Sequence, residues 1–274
     1  MAERFNRESV CRRLREKVLA GHSLFMMGCG NGVSAQSGER GGADLLAVYS
    51  TAILRMRGLP SMIFTLPYYD SNEITLEASR QIVPLIRSTP VIAGLGAHDP
   101  SVSLDALLDA VQSIGCCGVM NEPFASIYGP AFAARLERSG LGFSRELELI
   151  RRAHERGLFT LGWAAIPEEA AAMAQAGADA IGAIILDDGP EFQNKSKAEQ
   201  LDVAIEKVQE ICLSAHSVNP DAFVLTHGNP FYDVPTARAS VERTDAAGYA
   251  AGSSAERTPA EQAVTQIVKE FCAI

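Results

Sequence analysis

Eight short apolar segments alternate with stretches of helical pattern along most of the chain. Segments such as "TPVIAGL", "LFTLGW" and "ADAIGAII" are apolar throughout, which is typical of strands buried on both faces. Each is followed by a stretch such as "LDALLDAVQSIG" or "FSRELELIRRAHERG", in which apolar residues recur with the period of a helix. This alternation predicts a parallel sheet covered by helices, and eight such units predict a closed (β/α)8 barrel of the α/β class.

An open doubly wound sheet is the alternative architecture for this pattern. In such a sheet a G-x-G-x-x-G fingerprint usually follows the first strand, and an acidic residue ends the second. Here Gly28, Gly30 and Gly32 have a different spacing, and the second strand ends in Tyr49-Ser50. The sequence therefore favours the barrel.

A helix is predicted ahead of the first strand. Val10, Leu14 and Val18 recur at i, i+4 and i+8 between charged residues, which indicates an amphipathic helix that plugs or braces the barrel. No linker or shift in composition interrupts the chain. We therefore expect a single domain, with the extra N-terminal helix in residues 1–21 and the barrel in residues 22–274.

Composition and charge narrow the class of partner. The 274 residues carry a formal net charge of −9, which is unsuited to nucleic acid or to an anionic membrane surface. We expect a small anionic metabolite as the partner, and the apolar content and long loops predict a homo-oligomer. The N-terminus lacks the apolar core of a signal peptide, and no apolar run could span a membrane. A cytoplasmic protein with reduced cysteines is expected.

The active site of such a barrel lies at the C-terminal ends of its strands. Three of the loops there are long: residues 49–72 after strand 2, 121–142 after strand 4, and 187–196 after strand 6. The first carries Arg55 and Arg57 with several aromatic residues, so it could close over an anionic ligand or cover a subunit interface. Both alternatives stay open at this point. Residues 187–190 read as a turn.

Candidate ligand-binding residues lie after strands 1, 2, 7 and 8. Glycines let backbone amides approach a ligand, and the loops after strands 7 and 8 form a phosphate cradle in many barrels. The residues expected to contact substrate are Gly28, Cys29, Gly30, Asn31, Ser50, Gly228, Gly252, Ser253, Ser254 and Arg257. We expect the Cys29 thiol to be inert. Thr258 and Glu261 fit a capping box for the last helix.

Proton transfer and metal binding are assigned to four further side chains. His227 ends strand 7, where an imidazole can move a proton or serve a purely structural hydrogen bond. Asp70 and Glu122 are the other catalytic candidates, and Asp99 is the candidate metal ligand. Together the three acids could hold a hard cation such as Mg²⁺. Asp70 and Asp99 equally fit helix caps, and no organic cofactor is indicated.

Several longer motifs resemble one known family. They include "GCGNGVSAQSGERGGADLLAVYS", "TPVIAGLGAHDP", "GVMNEP", "THGNP" and "GYAAGSSAERTPAE", and they extend from strand 1 to the last helix. On these motifs the chain resembles the phosphoenolpyruvate hydrolase-like family of TIM barrels. The resemblance implies kinship with phosphoenolpyruvate mutases, phosphonopyruvate hydrolases and isocitrate-lyase-like enzymes, which use Mg²⁺ to hold a 2-oxo acid and stabilise an enolate.

Two functional hypotheses follow. The first is a hydrolase or lyase that acts on a small 2-oxo, phospho or phosphono acid through an enolate-type intermediate. The second is a non-catalytic barrel that binds a phosphorylated metabolite in signalling or regulation, because the sequence contains no unambiguous acid–base pair.

Overall fold

The eight predicted strands close into a parallel barrel. A computed structural model describes residues 5–186 and 189–274. Each strand pairs in parallel with the next, and the eighth pairs with the first, so the predicted (β/α)8 barrel is confirmed. The strands are β1 (Leu24–Gly28), β2 (Leu45–Val48), β3 (Val91–Gly94), β4 (Gly118–Met120), β5 (Phe159–Ala164), β6 (Ala180–Ile185), β7 (Phe223–Gly228) and β8 (Gly248–Ala251).

Helices follow every strand, and two of the long loops contain an additional one. The helices are α1 (Arg7–Leu19), α2 (Gly32–Arg40), α3 (Ser50–Met56), α4 (Ser71–Ile82), α5 (Leu104–Ile114), α6 (Pro130–Arg138), α7 (Phe143–Glu155), α8 (Pro167–Gln175), α9 (Lys197–Val218), α10 (Val234–Glu242) and α11 (Arg257–Phe271). The additional helices are α3, after β2, and α6, after β4. Among the described helices, none is both long enough and apolar enough to cross a membrane.

Helix α1 braces the barrel from its N-terminal end, as predicted. Val10 and Leu14 are buried and join the apolar cluster that fills the barrel interior. Two ion pairs fix the helix to the sheet: Arg7 pairs with Asp179 at 2.8 Å, and Lys17 pairs with Asp44 at 2.6 Å. Burial of the apolar face supplies most of the stability of such a helix, and the ion pairs fix its orientation.

The last helix differs from the prediction at its start. α11 begins at Arg257, directly after Glu256, and no side chain caps it. The expected capping box of Thr258 and Glu261 is therefore wrong. Thr258 lies inside the first turn, where its N–H donates to the carbonyl of Ser253 at 2.9 Å.

The loop after β6 is described only in part. Asp187 and Asp188, half of the predicted turn, lie outside the described residues. A single 3₁₀ turn follows at Pro190–Phe192.

Candidate active site

A cavity of about 510 Å³ opens at the C-terminal ends of the strands, and we call it the mouth cavity. Apolar walls are formed by Phe124, Trp163, Ile184 and Phe231. Its polar lining converges from the ends of β2, β4, β7 and β8. These polar residues are Tyr49, Thr51, Arg55, Glu122, His227, Asn229, Ser253 and Ser254.

Arg55 provides a buried positive charge in this cavity. Helix α3 carries it inward, and the residue is only 7% exposed. One guanidinium nitrogen donates to the Tyr49 hydroxyl at 2.9 Å, while Nε is buried without a hydrogen-bond partner. Among the described residues, Arg55 forms no ion pair with a carboxylate. A buried and unpaired cation is costly, so the site is suited to an anion supplied by a ligand.

The electrostatic surroundings keep Arg55 charged. Burial acts to lower its pKa, but the interactions with Tyr49 and with the carboxylate of Glu256 outweigh burial, so the pKa is raised. Gly252 makes room for the guanidinium, because a Cβ at this position would lie 3.3 Å from two of its nitrogens. The glycine at the end of β8 therefore lets Arg55 reach the cavity.

Glu122 is the carboxylate of the mouth cavity. It follows β4 and is 6% exposed, with one oxygen accepting a hydrogen bond from Thr51 and the other lying 3.4 Å from the Ser50 hydroxyl. Burial raises the pKa of Glu122 to about 7, although the Thr51 hydrogen bond and the charge of Arg55 oppose the shift. A carboxyl group with this pKa can donate or accept a proton at neutral pH.

A buried network behind the cavity holds the loop that carries Glu122. Glu146 of α7 is fully buried and accepts hydrogen bonds from the Asn121 side chain and, at 2.7 Å, from the Ala125 N–H. The Asn121 amide oxygen accepts from the backbone N–H of Trp163 at 2.7 Å. Both ends of the loop segment are thereby tied to neighbouring elements, which fixes the position of Glu122.

His227 has a defined tautomer. Its Nδ1 lies 2.7 Å from the carbonyl oxygen of Ala250, and because that oxygen can only accept, Nδ1 carries the hydrogen. Burial lowers the pKa of His227, so the ring is neutral at pH 7 and its Nε2 has a free electron pair. The ring packs against Trp163 with 5.0 Å between centroids. The geometry makes Nε2 a proton acceptor, while the Nδ1 bond also serves the structural role that the sequence left open.

Thirteen residues are predicted from the sequence to bind substrate or to act in catalysis, apart from the metal candidate Asp99. Six of them line the mouth cavity. They are His227, Glu122, Gly228, Gly252, Ser253 and Ser254. The loop after β2 also contributes, because Ser61, Met62 and Phe64 line the cavity. This contact favours the role of a lid for that loop, although Met62 and Tyr68 keep 60% and 73% of their surface exposed.

The glycine turn after β1 does not reach the cavity, because its donors already have partners. The Gly30 N–H donates to Glu256 at 2.5 Å, and Asn31 caps α2 by accepting from the Ser34 N–H at 2.9 Å. Cys29 is fully buried, and burial raises the pKa of its thiol well above the usual value. Gly28 lies behind the Tyr49 ring, since a Cβ there would be 2.4 Å from the hydroxyl oxygen.

Four other predicted residues also lie away from the cavity. Ser50 is buried and faces Glu122, so it supports that carboxylate rather than lining the site. Asp70 caps α4 by accepting from the Glu73 N–H at 2.8 Å. Asp99 accepts from both the N–H and the hydroxyl of Ser101. Arg257 turns back along α11 towards Glu261 at 3.7 Å.

The described residues do not fit a divalent cation. The expected cluster of Asp70, Asp99 and Glu122 does not form, because the first two carboxylates serve as a helix cap and a turn. Residues 5–186 and 189–274 contain no group of three acidic, histidine or cysteine side chains that could hold a metal. Glu122 shares the cavity with a guanidinium, whereas Mg²⁺ requires several oxygen ligands.

Two buried charged residues are not identified by the sequence, one in the mouth cavity and one that fills the turn after β1. The sequence places Arg55 in a long loop, and only a short helix inside that loop, α3, brings the side chain inward. Glu256 follows the last strand, but its sequence position predicts no role for it. Its carboxylate is 3% exposed and accepts from both Gly30 and Ser34, although it follows them by more than 200 positions. No local sequence signal identifies such a distant pairing.

Comparison with protein families and curated sequences gives a consistent result. The profile of the family described as "Phosphoenolpyruvate hydrolase-like" matches residues 9–274. The tomato (Solanum lycopersicum) "ToMV susceptible protein tm-1(GCR26)" is 36% identical over 266 residues, which is 97% of this chain. The match covers 35% of the tomato protein, so the chain spans about a third of the length of this curated relative.

Solved structures share the fold at low sequence identity. A phosphoenolpyruvate phosphomutase from Streptomyces platensis subsp. rosaceus has a TM-score of 0.64 and 15% identity, over 96% of this chain and 87% of that one. A phosphonopyruvate hydrolase in complex with oxalate and Mg²⁺ gives the same TM-score and identity, and the same shares of the two chains. These similarities support the fold, while the function has to be argued from the cavity.

Proposed function

Because the chain belongs to the phosphoenolpyruvate hydrolase-like family, we propose that it is a lyase or hydrolase acting on a small 2-oxo, phospho or phosphono acid in the mouth cavity. One observation carries the proposal: a buried guanidinium, Arg55, and a carboxyl group with a pKa of about 7, Glu122, line the same cavity. A substrate carboxylate or phosphonate supplies the anion that Arg55 lacks among the described residues. The Ser253 and Ser254 hydroxyls add neutral hydrogen-bond partners.

The protein's own groups have complementary proton states at neutral pH. His227 is neutral, and its Nε2 accepts a proton because Nδ1–H is held by the Ala250 carbonyl. Glu122 is substantially protonated near pH 7 and can donate. A base and an acid of opposite state in one cavity are the requirement for general acid–base catalysis.

The reaction class is cleavage of the bond between carbon 3 of a 2-oxo acid and its substituent. The electron pair of that bond moves towards the carbonyl group and gives an enolate, whose oxygen Arg55 stabilises. Protonated Glu122 then donates its proton to carbon 3. In a C–C cleavage the departing carbon carries a hydroxyl group, which loses its proton to His227 Nε2 and becomes a carbonyl compound. In a C–P cleavage the phosphorus takes hydroxide from a water molecule, and His227 Nε2 accepts the other proton of that water.

Mg²⁺ enters the proposal only as a variable of the experiment. A structurally similar phosphonopyruvate hydrolase was crystallised with oxalate and Mg²⁺. The described part of this chain lacks a matching set of ligands, so no step above uses the ion.

A panel of ligands tests the proposal directly. Thermal unfolding is measured with oxalate, pyruvate, phosphonopyruvate, phosphoenolpyruvate and oxaloacetate, each with and without Mg²⁺, because a ligand of the folded state raises the melting temperature. Product formation from the last three acids is followed by NMR. We expect oxalate to raise the melting temperature and at least one acid to be turned over. Turnover should be lost in His227→Ala, and the shift with oxalate should be lost in Arg55→Met.

A barrel that binds without turnover is the second candidate. It is favoured by the name of the tomato relative, which refers to ToMV susceptibility and not to a reaction. Strong thermal shifts with phosphorylated acids, but no product after long incubation, would select this alternative. An absence of shift with every anion would contradict both candidates.

A further inference from the structure

The anion position and the ends of two strands face each other across the mouth cavity. Arg55 lies near the ends of β2 and β8, since it donates to Tyr49 and a Cβ at Gly252 would lie 3.3 Å from two of its nitrogens. Strands β2 and β8 flank β1 in the closed order of eight strands, so β5 is opposite β1 and β6 is opposite β2. A ligand held by Arg55 therefore extends towards the ends of β5 and β6.

The side that faces Arg55 is apolar, and we call it the β5–β6 wall. It consists of Trp163 near the end of β5, and of Ile184 and Leu186 at the end of β6. All three belong to the apolar cluster of the barrel interior or pack against it. The Trp163 ring lies close over Gly182 of the neighbouring strand, where a Cβ would overlap it. This wall is suited to hydrocarbon, because contact with it removes apolar surface from water.

Positive charge is confined to the other side of the cavity. Of the described residues that line it, Arg55 alone carries a fixed positive charge. One acid group of a substrate occupies that position. A second carboxylate or phosphonate at the far end would lie against the β5–β6 wall without a cation, and burial of an unpaired charge is costly.

The cavity also has room for more than the reacting atoms. Its volume of about 510 Å³ falls within the roughly 300–1,000 Å³ of pockets that hold drug-sized ligands. Pyruvate is much smaller than such ligands. Held by Arg55, it would leave the β5–β6 wall uncovered.

The proton acceptor lies beside the apolar wall. His227 pairs with Ile184 across β6 and β7, and its ring packs on Trp163 with 5.0 Å between centroids. A hydroxyl group that gives its proton to Nε2 is therefore next to the wall. The substituent on the same carbon reaches Trp163 and Ile184.

We infer that the substrate is a 4-hydroxy-2-oxo acid with an apolar substituent on carbon 4, its carboxylate at Arg55 and its substituent against the β5–β6 wall. The inference rests on the proposed function and narrows it to cleavage of a carbon–carbon bond. The bond between carbons 3 and 4 breaks, its electron pair forms the enolate of pyruvate, and Glu122 protonates carbon 3. The carbon-4 hydroxyl gives its proton to His227 Nε2 and becomes an aldehyde. The products are pyruvate and an apolar aldehyde, and no water is consumed.

Two unreactive analogues test the substrate class without turnover. N-isobutyloxamate and N-oxalylglycine share the carboxylate, the carbonyl group and the length of the chain, but the first ends in an isopropyl group and the second in a carboxylate. In calorimetry we expect N-isobutyloxamate to bind at least about tenfold more tightly, which is within the discrimination of a hydrophobic pocket. Equal affinities, or tighter binding of N-oxalylglycine, would overturn the inference.

Ile184→Ala tests where the isopropyl group binds. It removes part of the β5–β6 wall and should weaken N-isobutyloxamate about tenfold. Oxalate reaches only the Arg55 side, so its unchanged affinity would also show that the variant is folded. Ile181→Ala is the matched control, because Ile181 is buried in the same strand but belongs to the cluster that packs with α8 and α9. Equal affinities of the two variants for N-isobutyloxamate would contradict the placement.

A charge on the wall should change the preference. Leu186 is partly exposed at the end of β6, so Leu186→Arg places a cation there with little disturbance of the core. We expect this variant to bind N-oxalylglycine at least as tightly as N-isobutyloxamate, because the second carboxylate then has a partner. Leu186→Met, which adds no charge, should keep the wild-type preference. An unchanged preference in Leu186→Arg would count against the inferred orientation.

Turnover separates this inference from the proposed function. The wild-type protein is incubated with 4-hydroxy-5-methyl-2-oxohexanoate or with 4-hydroxy-2-oxopentanedioate, and pyruvate is followed by the NMR signal of its methyl group. We expect kcat/KM to be at least about tenfold higher for the first acid. Faster cleavage of the second acid would overturn the substrate class and leave the proposed function intact. Selective binding of N-isobutyloxamate without release of pyruvate would contradict the proposed function and support the class of ligand.

Discussion

Two places at the C-terminal end of the barrel offer hydrogen-bond donors to an anion, and they differ in what fills them. At the start of α2, the Gly30 N–H and the Ser34 hydroxyl both donate to Glu256, so the protein's own carboxylate occupies the position. At the mouth cavity, the guanidinium of Arg55 donates to the Tyr49 hydroxyl, and its Nε has no hydrogen-bond partner among the described residues. The first place is closed and the second is open to a ligand.

The difference shows that donor chemistry alone does not identify a binding site. Glycine turns at helix N-termini bind anions readily. In this chain that capacity serves the fold, because 226 positions separate Gly30 from the carboxylate that satisfies it. The buried cation, which has no carboxylate partner in residues 5–186 and 189–274, is the better indicator of a ligand, since the free energy of burying an unpaired charge has to be offset.

Glu122→Gln should have the largest effect, because it removes the proton donor from the mouth cavity. We expect kcat to fall by about 10²- to 10⁴-fold, the usual contribution of a positioned acid or base. The pKa of Glu122 is raised to about 7, so the protonated acid is lost, and activity declines, as the pH rises through about 7. Residual activity of Glu122→Gln should lack this decline. The exposed Glu168→Gln is the control, and an unchanged pH profile in Glu122→Gln would exclude the role of acid.

Arg55→Met tests whether the mouth cavity holds the anion. Charge-assisted hydrogen bonds contribute about 1.5–3 kcal/mol each, so oxalate should bind about 10- to 100-fold more weakly, as measured by calorimetry. Arg55→Lys should recover only part of the affinity, because lysine cannot present two parallel donors. The neighbouring and exposed Arg57→Met serves as the control and should bind as the wild type does. Unchanged oxalate binding by Arg55→Met would contradict the proposed anion site.

The barrel could be predicted because its signals are local and repeated. Each strand is a continuous apolar run and each helix has its own periodicity, so eight units could be counted along the chain. The same rule brings His227, Glu122 and the Gly252–Ser254 segment to one cavity, because the ends of parallel strands meet at one face of the barrel.

The remaining part of the site depends on long-range and side-chain contacts, and local sequence patterns do not show which of these contacts form. Asp70 and Asp99 satisfy both a capping pattern and a metal hypothesis, and only the hydrogen bonds to Glu73 and Ser101 decide between them. Glu256 was missed for a related reason. Glu256 lies two positions before the predicted capping threonine, Thr258, and no local pattern indicates that its side chain pairs with the first βα turn.

Glu256→Ala should vacate the anion position at the start of α2. The Gly30 N–H and the Ser34 hydroxyl would then lack their acceptor, which should lower the free energy of unfolding by about 1–3 kcal/mol. Added formate, a small carboxylate, should restore part of this loss in Glu256→Ala and have no such effect on the wild type. Denaturant unfolding at several formate concentrations measures both effects. Glu261→Ala removes an exposed acid of α11 and is the control, and equal responses to formate in all three proteins would refute the comparison.

The smallest effect is expected for Cys29→Ala, which tests whether the glycine turn after β1 takes part in the reaction. Cys29 is fully buried in the glycine turn, and its Sγ lies 3.5 Å from the Ala47 carbonyl oxygen. Because burial and the nearby carboxylate of Glu256 raise its pKa, the thiol stays protonated and unreactive. We expect turnover within about twofold of the wild type, since the substitution touches no group of the mouth cavity. In the native protein iodoacetamide should modify the exposed Cys272 and leave Cys29 intact, which peptide mass mapping can measure. Rapid modification of Cys29 would mean that the turn after β1 is accessible to ligands. The start of α2 could then no longer be described as filled while the mouth cavity is open.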